Sequence, residues 1–405
     1  MKINIKHIWN TFNYGSCMMA ITLINRINKD IDNVEFYVDA NSDIDLQRLK
    51  DETGIENIKR STVESSDSFV KKCMNKIKRI RIDLIVQKIE TVVVIGGDDI
   101  SEYYGIDRLG SELYKLKEES HHKNMLLIGQ TMGPFTGNRG QVARDCLSKT
   151  KIYTRDDKNL DYLKSLNFQN VKCGRDMAFT ELKMQDKAHD ILVKYDLHQQ
   201  DYITIVPSGL VESYTNDFTD YIKNWITIIN KLSKNDRFKK IVLLMHVSEP
   251  TKPLSDNDDR RAINQIIELI DKNTLNKIIP ITDAVLPSEA REILGCGILT
   301  ISGRMHAAVS TFYMRKPAIS LSYSVKYAGV IGEGLDMNEL VIESADEKLW
   351  AKGDISSMVD EKVNYVLENY DTLVKKIDIK VSEASAIVEE ELDDIVKDLK
   401  QVKSE

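Results

Sequence analysis

Short apolar runs rich in valine and isoleucine recur along the chain, separated by segments of helical length. In the first half they fall at 3–9, 34–40, 91–96, 125–129 and 151–154. In the second half they fall at 202–206, 241–247, 277–281, 298–302 and 317–323. Runs such as Thr91-Val-Val-Val-Ile95 and Ile241-Val-Leu-Leu-Met245 lack polar alternation. That is how strands covered on both faces of a parallel sheet read. Between them, the segments 16–29, 106–119, 156–166, 219–233 and 257–271 carry helical patterns. Alternation of strand and helix in both halves predicts an α/β protein of two doubly wound, Rossmann-like domains. The polar stretch around 181–200 is the expected boundary, with a helix at 184–197 inside it. The expected domains are therefore 1–185 and 200–375.

Residues 376–405 form a third segment. Val381, Ala384, Val388, Leu392, Ile395, Leu399 and Val402 recur at three- and four-residue steps among Glu, Asp and Lys. This predicts an amphipathic helix that packs on the body of the protein or on a second subunit, leaving a homodimer open. Its polar face is more acidic than basic, which disfavours a membrane-surface role for this helix.

Composition narrows the function. The 405 residues carry 56 basic and 63 acidic side chains, a formal charge of −7 with no basic block evident. Nucleic-acid binding depends on clustered Lys and Arg and is not expected. The five cysteines, Cys17, Cys73, Cys146, Cys173 and Cys296, are odd in number and widely spaced, so neither a disulfide framework nor a zinc knuckle is expected. Polar residues interrupt the first segment, and no apolar run reaches the ~20 residues of a membrane span. A cytoplasmic protein without a transmembrane segment is expected, free or at the inner face of the membrane.

In open α/β sheets, ligands bind beyond the carboxyl ends of the strands, so the residues just after each predicted strand are the candidates. Ser302-Gly303-Arg304-Met305-His306 follows the run at 298–302 and opens a helical pattern. Gly303 permits a tight turn, the helix N-terminus attracts anions, Arg304 offers a planar fork of donors, and His306 can move a proton near neutral pH. The bland alternative pairs Arg304 with a structural carboxylate and lets His306 cap or pack. Gly96-Gly97-Asp98-Asp99 follows another buried run. Asp98 or Asp99 could accept a hydroxyl proton or simply cap the next helix. Metal binding there is disfavoured, since adjacent side chains diverge and no third ligand is nearby. The loops containing Asn13 and Gly15, Gln130, and Arg155 with Asp156 also end strands. Asp156 reads as an N-cap, so Arg155 points to a ligand or pairs locally. No dinucleotide fingerprint, P-loop, nucleophile elbow or H-E-x-x-H motif is present.

The ordered set of Asn13-Tyr-Gly15, Gly96-Gly97-Asp98, Gly129-Gln130 with Gly133-Pro134, Thr154-Arg155-Asp156, Asp176-Met-Ala-Phe179, Ser302-Gly-Arg304-Met-His306 and Ser322-Tyr323 with Lys326 resembles the polysaccharide pyruvyl transferase family over residues 1–340. The resemblance implies two facing Rossmann-like domains, the GT-B-like glycosyltransferase architecture. It implies transfer of the pyruvyl group of phosphoenolpyruvate to a sugar of a cell-surface polysaccharide or its precursor, with no cofactor or metal. It further implies that Arg304 and Arg155 hold phosphoenolpyruvate, that His306 is the general acid, and that Asp98 or Asp99 is the base. Gly303, Asn13, Gly15, Gly97, Gln130, Tyr323 and Lys326 fall in the matching loops and are expected to contact substrate. The acceptor glycan, lipid-linked or free, is unspecified. The chain departs from the family pattern at Gly96-Gly97-Asp98-Asp99, where many relatives have a third glycine and a serine, which leaves the choice between the two aspartates open. One rival is a glycosyltransferase of the same architecture using a nucleotide sugar, with Glu333 a candidate ribose ligand. A non-catalytic binding protein is the other.

Overall fold

The computed structural model of the chain describes residues 1–63, 69–249 and 254–404. Seven strands, β1 (Lys2–Lys6), β2 (Glu35–Val38), β3 (Ile58–Arg60), β4 (Thr91–Ile95), β5 (Asn124–Gln130), β6 (Lys151–Thr154) and β7 (Val171–Lys172), form one sheet in the order β3-β2-β1-β4-β5-β6-β7. Six more, β8 (Tyr202–Val206), β9 (Lys240–Leu244), β10 (Ile278–Ile281), β11 (Thr300–Ser302), β12 (Ala318–Ser322) and β13 (Val341–Glu343), form a second in the order β10-β9-β8-β11-β12-β13. Strand pairing is parallel in both sheets. The buried runs behave as their composition requires: every residue of β4, β8 and β12 is buried.

The two sheets share one winding scheme. Strand order reverses between β1 and β4 in the first, and between β8 and β11 in the second. At such a switch point the flanking loops run in opposite directions and leave a crevice at the carboxyl ends of the strands. The loop at 96–99 leaves the first switch point, and the turn at 303–304 leaves the second.

The chain divides into two compact units. The first comprises Met1–Thr11, Ser16–Thr180 and Ala386–Glu405, and the second Phe12–Gly15 and Glu181–Ser385. The C-terminal helix runs Tyr370–Ser404, starting earlier than its apolar pattern predicts. Leu373, Ile377, Val381 and Ala384 are buried with the second unit, and Val388, Leu392, Ile395 and Leu399 with the first. In the first unit its polar flank is tied down as well. Tyr153 donates to Asp394 at 2.8 Å, and Lys151 meets Asp398 at 2.8 Å.

Three strands were not predicted: β3, β7 and β13 are edge strands of two or three residues, interrupted by Lys59, Arg60, Lys172 and Glu343. Short, charged edges resist pairing with other chains and carry too little apolar sequence to be recognised. The other edge strand, β10, tolerates Pro280 for the same positional reason. The predicted helix at 184–197 is instead a turn of 3-10 helix at Gln185–Lys187 and a short helix at Asp190–Lys194, stopped before Asp196 with φ 50°.

The expectation that no basic block is present is also corrected. The helix Phe69–Gln87 concentrates cations: Lys76, Lys78, Arg79 and Arg81 are exposed beside exposed Ile77, Ile80 and Leu84. The described cysteines Cys17, Cys146, Cys173 and Cys296 are free thiols. The Cys73 side chain lies outside the described residues.

Candidate functional site

At the second switch point β11 ends at Ser302, and Gly303 continues its ladder, donating to Val206 O at 2.9 Å. The Gly303 carbonyl is held by two buried phenols, Tyr214 at 2.5 Å and Tyr327 at 2.8 Å. A Cβ on Gly303 would lie 3.1 Å from both Ser208 Cβ and Tyr214 Oη, so a side chain there would need these neighbours to give by a few tenths of an ångström. Arg304 N donates to Ser302 Oγ at 2.9 Å, which directs the chain into the helix Met305–Tyr313. Arg304 occupies the N-cap position and no side chain caps this helix. Its partial positive end is therefore not offset by a side-chain acceptor.

The Arg304 guanidinium is buried. Its Nε and Nη2 donate to Asp259 Oδ1 at 2.9 and 2.7 Å, and Nη2 also donates to Asn257 O at 2.7 Å. Asp259 is fully buried and does more than neutralise. Its Oδ1 accepts from Gly209 N at 2.7 Å, and its Oδ2 accepts from His246 N at 3.0 Å and Val247 N at 2.8 Å. One carboxylate thus fastens the segments that follow β8, β9 and β11. The structural pairing considered for Arg304 is present, but it uses one edge of the guanidinium. Nη1 has no protein partner among the described residues. Burial works against the charge, and Asp259 raises the pKa of Arg304 above its ordinary value, so the side chain stays cationic.

His306 lies in the first turn of the same helix, half-buried. It stands against Gly15, where any Cβ would collide with the imidazole. Residues 12–15 belong to the second unit and pair with the end of β9: Asn13 bridges Val247, and Tyr14 N donates to His246 O at 3.2 Å. His246 is 1% exposed, packs edge-on to Tyr14 at 5.3 Å, and its Nε2 has no hydrogen-bond partner among the described residues. Burial, reinforced by the charges of His306 and Arg304, holds its pKa well below the usual histidine range, so His246 is neutral. After β12, Lys326 donates to Tyr323 Oη at 2.9 Å, and the Tyr323 ring meets Tyr214 at 5.2 Å. An uncapped helix end, a braced arginine with one unused nitrogen, and two histidines make a site suited to an anion and to proton transfer.

The first unit holds the other predicted residues. Gly96 N donates to Ile128 O at 2.6 Å, and Thr131 N to Gly97 O at 2.9 Å. A Cβ on Gly96 would meet the Gln130 amide at 2.5 Å. Asp98 is buried and accepts from Tyr104 Oη at 3.0 Å. Asp99 is half-buried, 3.6 Å from Arg108 and 3.9 Å from His7 Nδ1. Two of the predicted contact residues are interior in the structure. Gln130 is an interior residue whose amide donates to Val94 O at 3.3 Å, bracing the Gly96 turn. Arg155 is 1% exposed, donates to Thr131 Oγ1 at 2.7 Å and lies 3.6 Å from buried Asp176. Its guanidinium is enclosed by protein, and its Nη2 has no hydrogen-bond partner among the described residues. Asp156 caps the following helix as predicted, accepting from Asn159 N at 2.7 Å. Glu333 is exposed at the end of the π-helical segment Ala328–Glu333.

Sequence reasoning missed Asp259 and His246. Asp259 hides in Asp258-Asp259-Arg260-Arg261, which reads as the charged start of an amphipathic helix, and His246 lies within the predicted strand 241–247.

The sequence profile described as polysaccharide pyruvyl transferase matches residues 13–325. Among solved structures, the chain resembles UDP-GlcNAc 2-epimerase from Neisseria meningitidis bound to UDP-GlcNAc. The two are 12% identical, with 96% of this chain and 99% of that one covered and a TM-score of 0.59. It also resembles UDP-N-acetylglucosamine 2-epimerase from Rickettsia bellii, at 12% identity, with 97% of each chain covered and a TM-score of 0.57. The Methanocaldococcus jannaschii UDP-GlcNAc 2-epimerase in complex with UDP-GlcNAc and UDP is also 12% identical, with 90% of this chain and 93% of that one covered and a TM-score of 0.56. At such identity the likeness establishes the fold, two parallel-sheet α/β domains of the GT-B class, and nothing of the chemistry.

The depressed pKa of His246 has a pH consequence. The unfolded chain protonates this residue below about pH 6.5, and the folded chain does not. Its contribution is therefore present above about pH 6.5 and declines as pH falls, by up to about 1.4 kcal/mol per pH unit. Urea unfolding from about pH 8 to about pH 5 should show a shallower decline in His246→Gln than in the parent. Parallel stability curves would mean that the imidazole titrates normally in the fold.

Proposed function

The chain belongs to the polysaccharide pyruvyl transferase family, and we propose that it moves the pyruvyl group of phosphoenolpyruvate onto two hydroxyls of a sugar, releasing phosphate. The observation that carries this reading is the turn at 302–306, where a braced cation, an uncapped helix N-terminus and a histidine occupy one switch point. Phosphoenolpyruvate bears a carboxylate and a phosphate, and a protein with net charge −7 needs a focused site to bind it. Arg304 Nη1 and the helix end hold the anion. His306 delivers a proton to the methylene carbon as a sugar hydroxyl adds to C2. Phosphate then leaves with the C2–O bond electrons, and the second hydroxyl closes the ketal. Asp98 or Asp99 is assigned as the base, and Tyr323 with Lys326 as part of the binding surface. The scheme calls on no metal or cofactor.

We further propose that the reaction takes place at the inner membrane face. Among the described residues no helix is long and apolar enough to cross a membrane. The helix Phe69–Gln87 instead presents Ile77, Ile80 and Leu84 beside Lys76, Lys78, Arg79 and Arg81, with Asp83 the one exposed acid between residues 76 and 87. Each such cation contributes about 1 kcal/mol near an anionic surface, and the isoleucines add apolar burial. A lipid-linked acceptor would be met there. Co-sedimentation with phosphatidylglycerol vesicles should retain the protein, phosphatidylcholine vesicles should retain far less, and Ile80→Glu with Leu84→Glu should release it. Indifference to both lipid and substitution would place the protein away from membranes.

Chemistry is tested by incubating the protein with phosphoenolpyruvate, or with nucleotide sugars, and a panel of glycan acceptors, while following phosphate release and acceptor mass. The expected product carries a pyruvate ketal, and His306→Ala should lower turnover by about 100- to 10,000-fold without unfolding the chain. An acceptor that gains a sugar while phosphoenolpyruvate is untouched would instead identify a glycosyltransferase.

A further inference from the structure

Away from the switch points, the second unit brings together a histidine, a carboxylate and a thiol that the proposed reaction does not use. Glu292 and Cys296 stand four residues apart on the helix Pro287–Cys296, so they share one face. His189, just before the helix Asp190–Lys194, meets them from the adjoining segment. His189 Nδ1 lies 3.0 Å from Glu292 Oε1, and Cys296 Sγ lies 3.4 Å from the same oxygen. All three ligand atoms are within 4.8 Å of one another. Around a tetrahedral zinc ion with bonds of about 2.0–2.3 Å, such atoms stand about 3.3–3.7 Å apart. The cluster is thus within small side-chain movements of a coordination geometry.

Its surroundings favour the same use. Gln185 Nε2 donates to Glu292 Oε2 at 3.0 Å, which fixes the carboxylate and leaves Oε1 toward the histidine and the thiol. Metal-binding carboxylates are commonly oriented by such an outer hydrogen bond. Glu292 and Cys296 are buried on a rigid helix, whereas His189 is exposed and gives an ion a route from solvent. The donor set of one thiolate, one imidazole and one carboxylate suits zinc and its neighbours and disfavours magnesium or calcium, which take oxygen ligands.

We propose that His189, Glu292 and Cys296 bind a single zinc ion, with water in the fourth position, clasping the segment that enters the second unit to the helix Pro287–Cys296. Binding replaces the thiol proton, which passes to solvent, and uses the Nδ1 lone pair of neutral His189. No oxidation is involved, and the clasp is independent of the proposed pyruvyl transfer.

The test uses the full chain, stripped with chelator and dialysed against Zn²⁺ or Co²⁺. One zinc per chain is expected, and cobalt should give a thiolate-to-metal charge-transfer band in the near ultraviolet. Cys296→Ser should remove that band while Cys146→Ser keeps it. His189→Ala, at an exposed position that folding tolerates, should abolish stoichiometric binding, and Gln185→Ala should weaken it about 10- to 100-fold. No stoichiometric metal in the parent, or a cobalt band that survives Cys296→Ser and His189→Ala, would overturn the assignment. Because the readout is metal content and absorbance, it stands or falls separately from enzymatic activity.

Discussion

The second unit depends on one buried carboxylate. Asp259 receives two guanidinium donors from Arg304 and three backbone amides from Gly209, His246 and Val247. Removing a charge of this kind from water is expensive, and breaking such a pair by deleting one partner costs about 3–5 kcal/mol. The pair is sustained because every Asp259 oxygen is used and because the same contacts fix the loops after β8, β9 and β11. Arg304 is thereby held in one rotamer with its outer nitrogen unpaired among the described residues. A flexible arginine would lose side-chain entropy on meeting an anion, and this one has already lost it on folding.

The winding of the sheet explains why these groups meet. Strand order reverses between β8 and β11, so the segments leaving those strands diverge, and the turn at 303–304 enters a helix directly. Gly303 accepts the crowding by Ser208 and Tyr214, and Gly15 accepts the ring of His306. The two glycines act at opposite ends of the same motif: one permits the turn, the other leaves room for the proposed acid. Neutral, buried His246 adds a polar nitrogen to a region where a further cation beside Arg304 would be repelled.

Much of this was legible in the sequence. Strands buried on both faces declare themselves as unbroken valine and isoleucine runs, and β4, β8 and β9 lie where those runs predict. Edge strands such as β7, with two residues, have no comparable signature. Arg304 and Arg155 look alike in sequence, each following a strand and preceding a helix. The structure separates them by burial: Arg155 is 1% exposed, with Nε on Thr131, Nη1 near Asp176 and Nη2 unpartnered in the interior, whereas Arg304 is braced by Asp259 with Nη1 unpaired among the described residues. That difference comes from distant residues, Asp176 and Asp259, which no local pattern could assign. The basic run of the helix Phe69–Gln87 is legible in the sequence at Lys76, Lys78, Arg79 and Arg81, and only a reading by total charge passes over it.

The central claim is that Asp259 presents one edge of the Arg304 guanidinium to an anion. Calorimetric titration of phosphoenolpyruvate into the full chain and into Arg304→Lys tests it most directly. A lysine ammonium can satisfy Asp259 but has no rigid second edge to offer. The account predicts saturable binding by the parent and affinity at least about 10-fold weaker in the variant, a loss of about 1.4 kcal/mol. Equal affinity in the two proteins would contradict it.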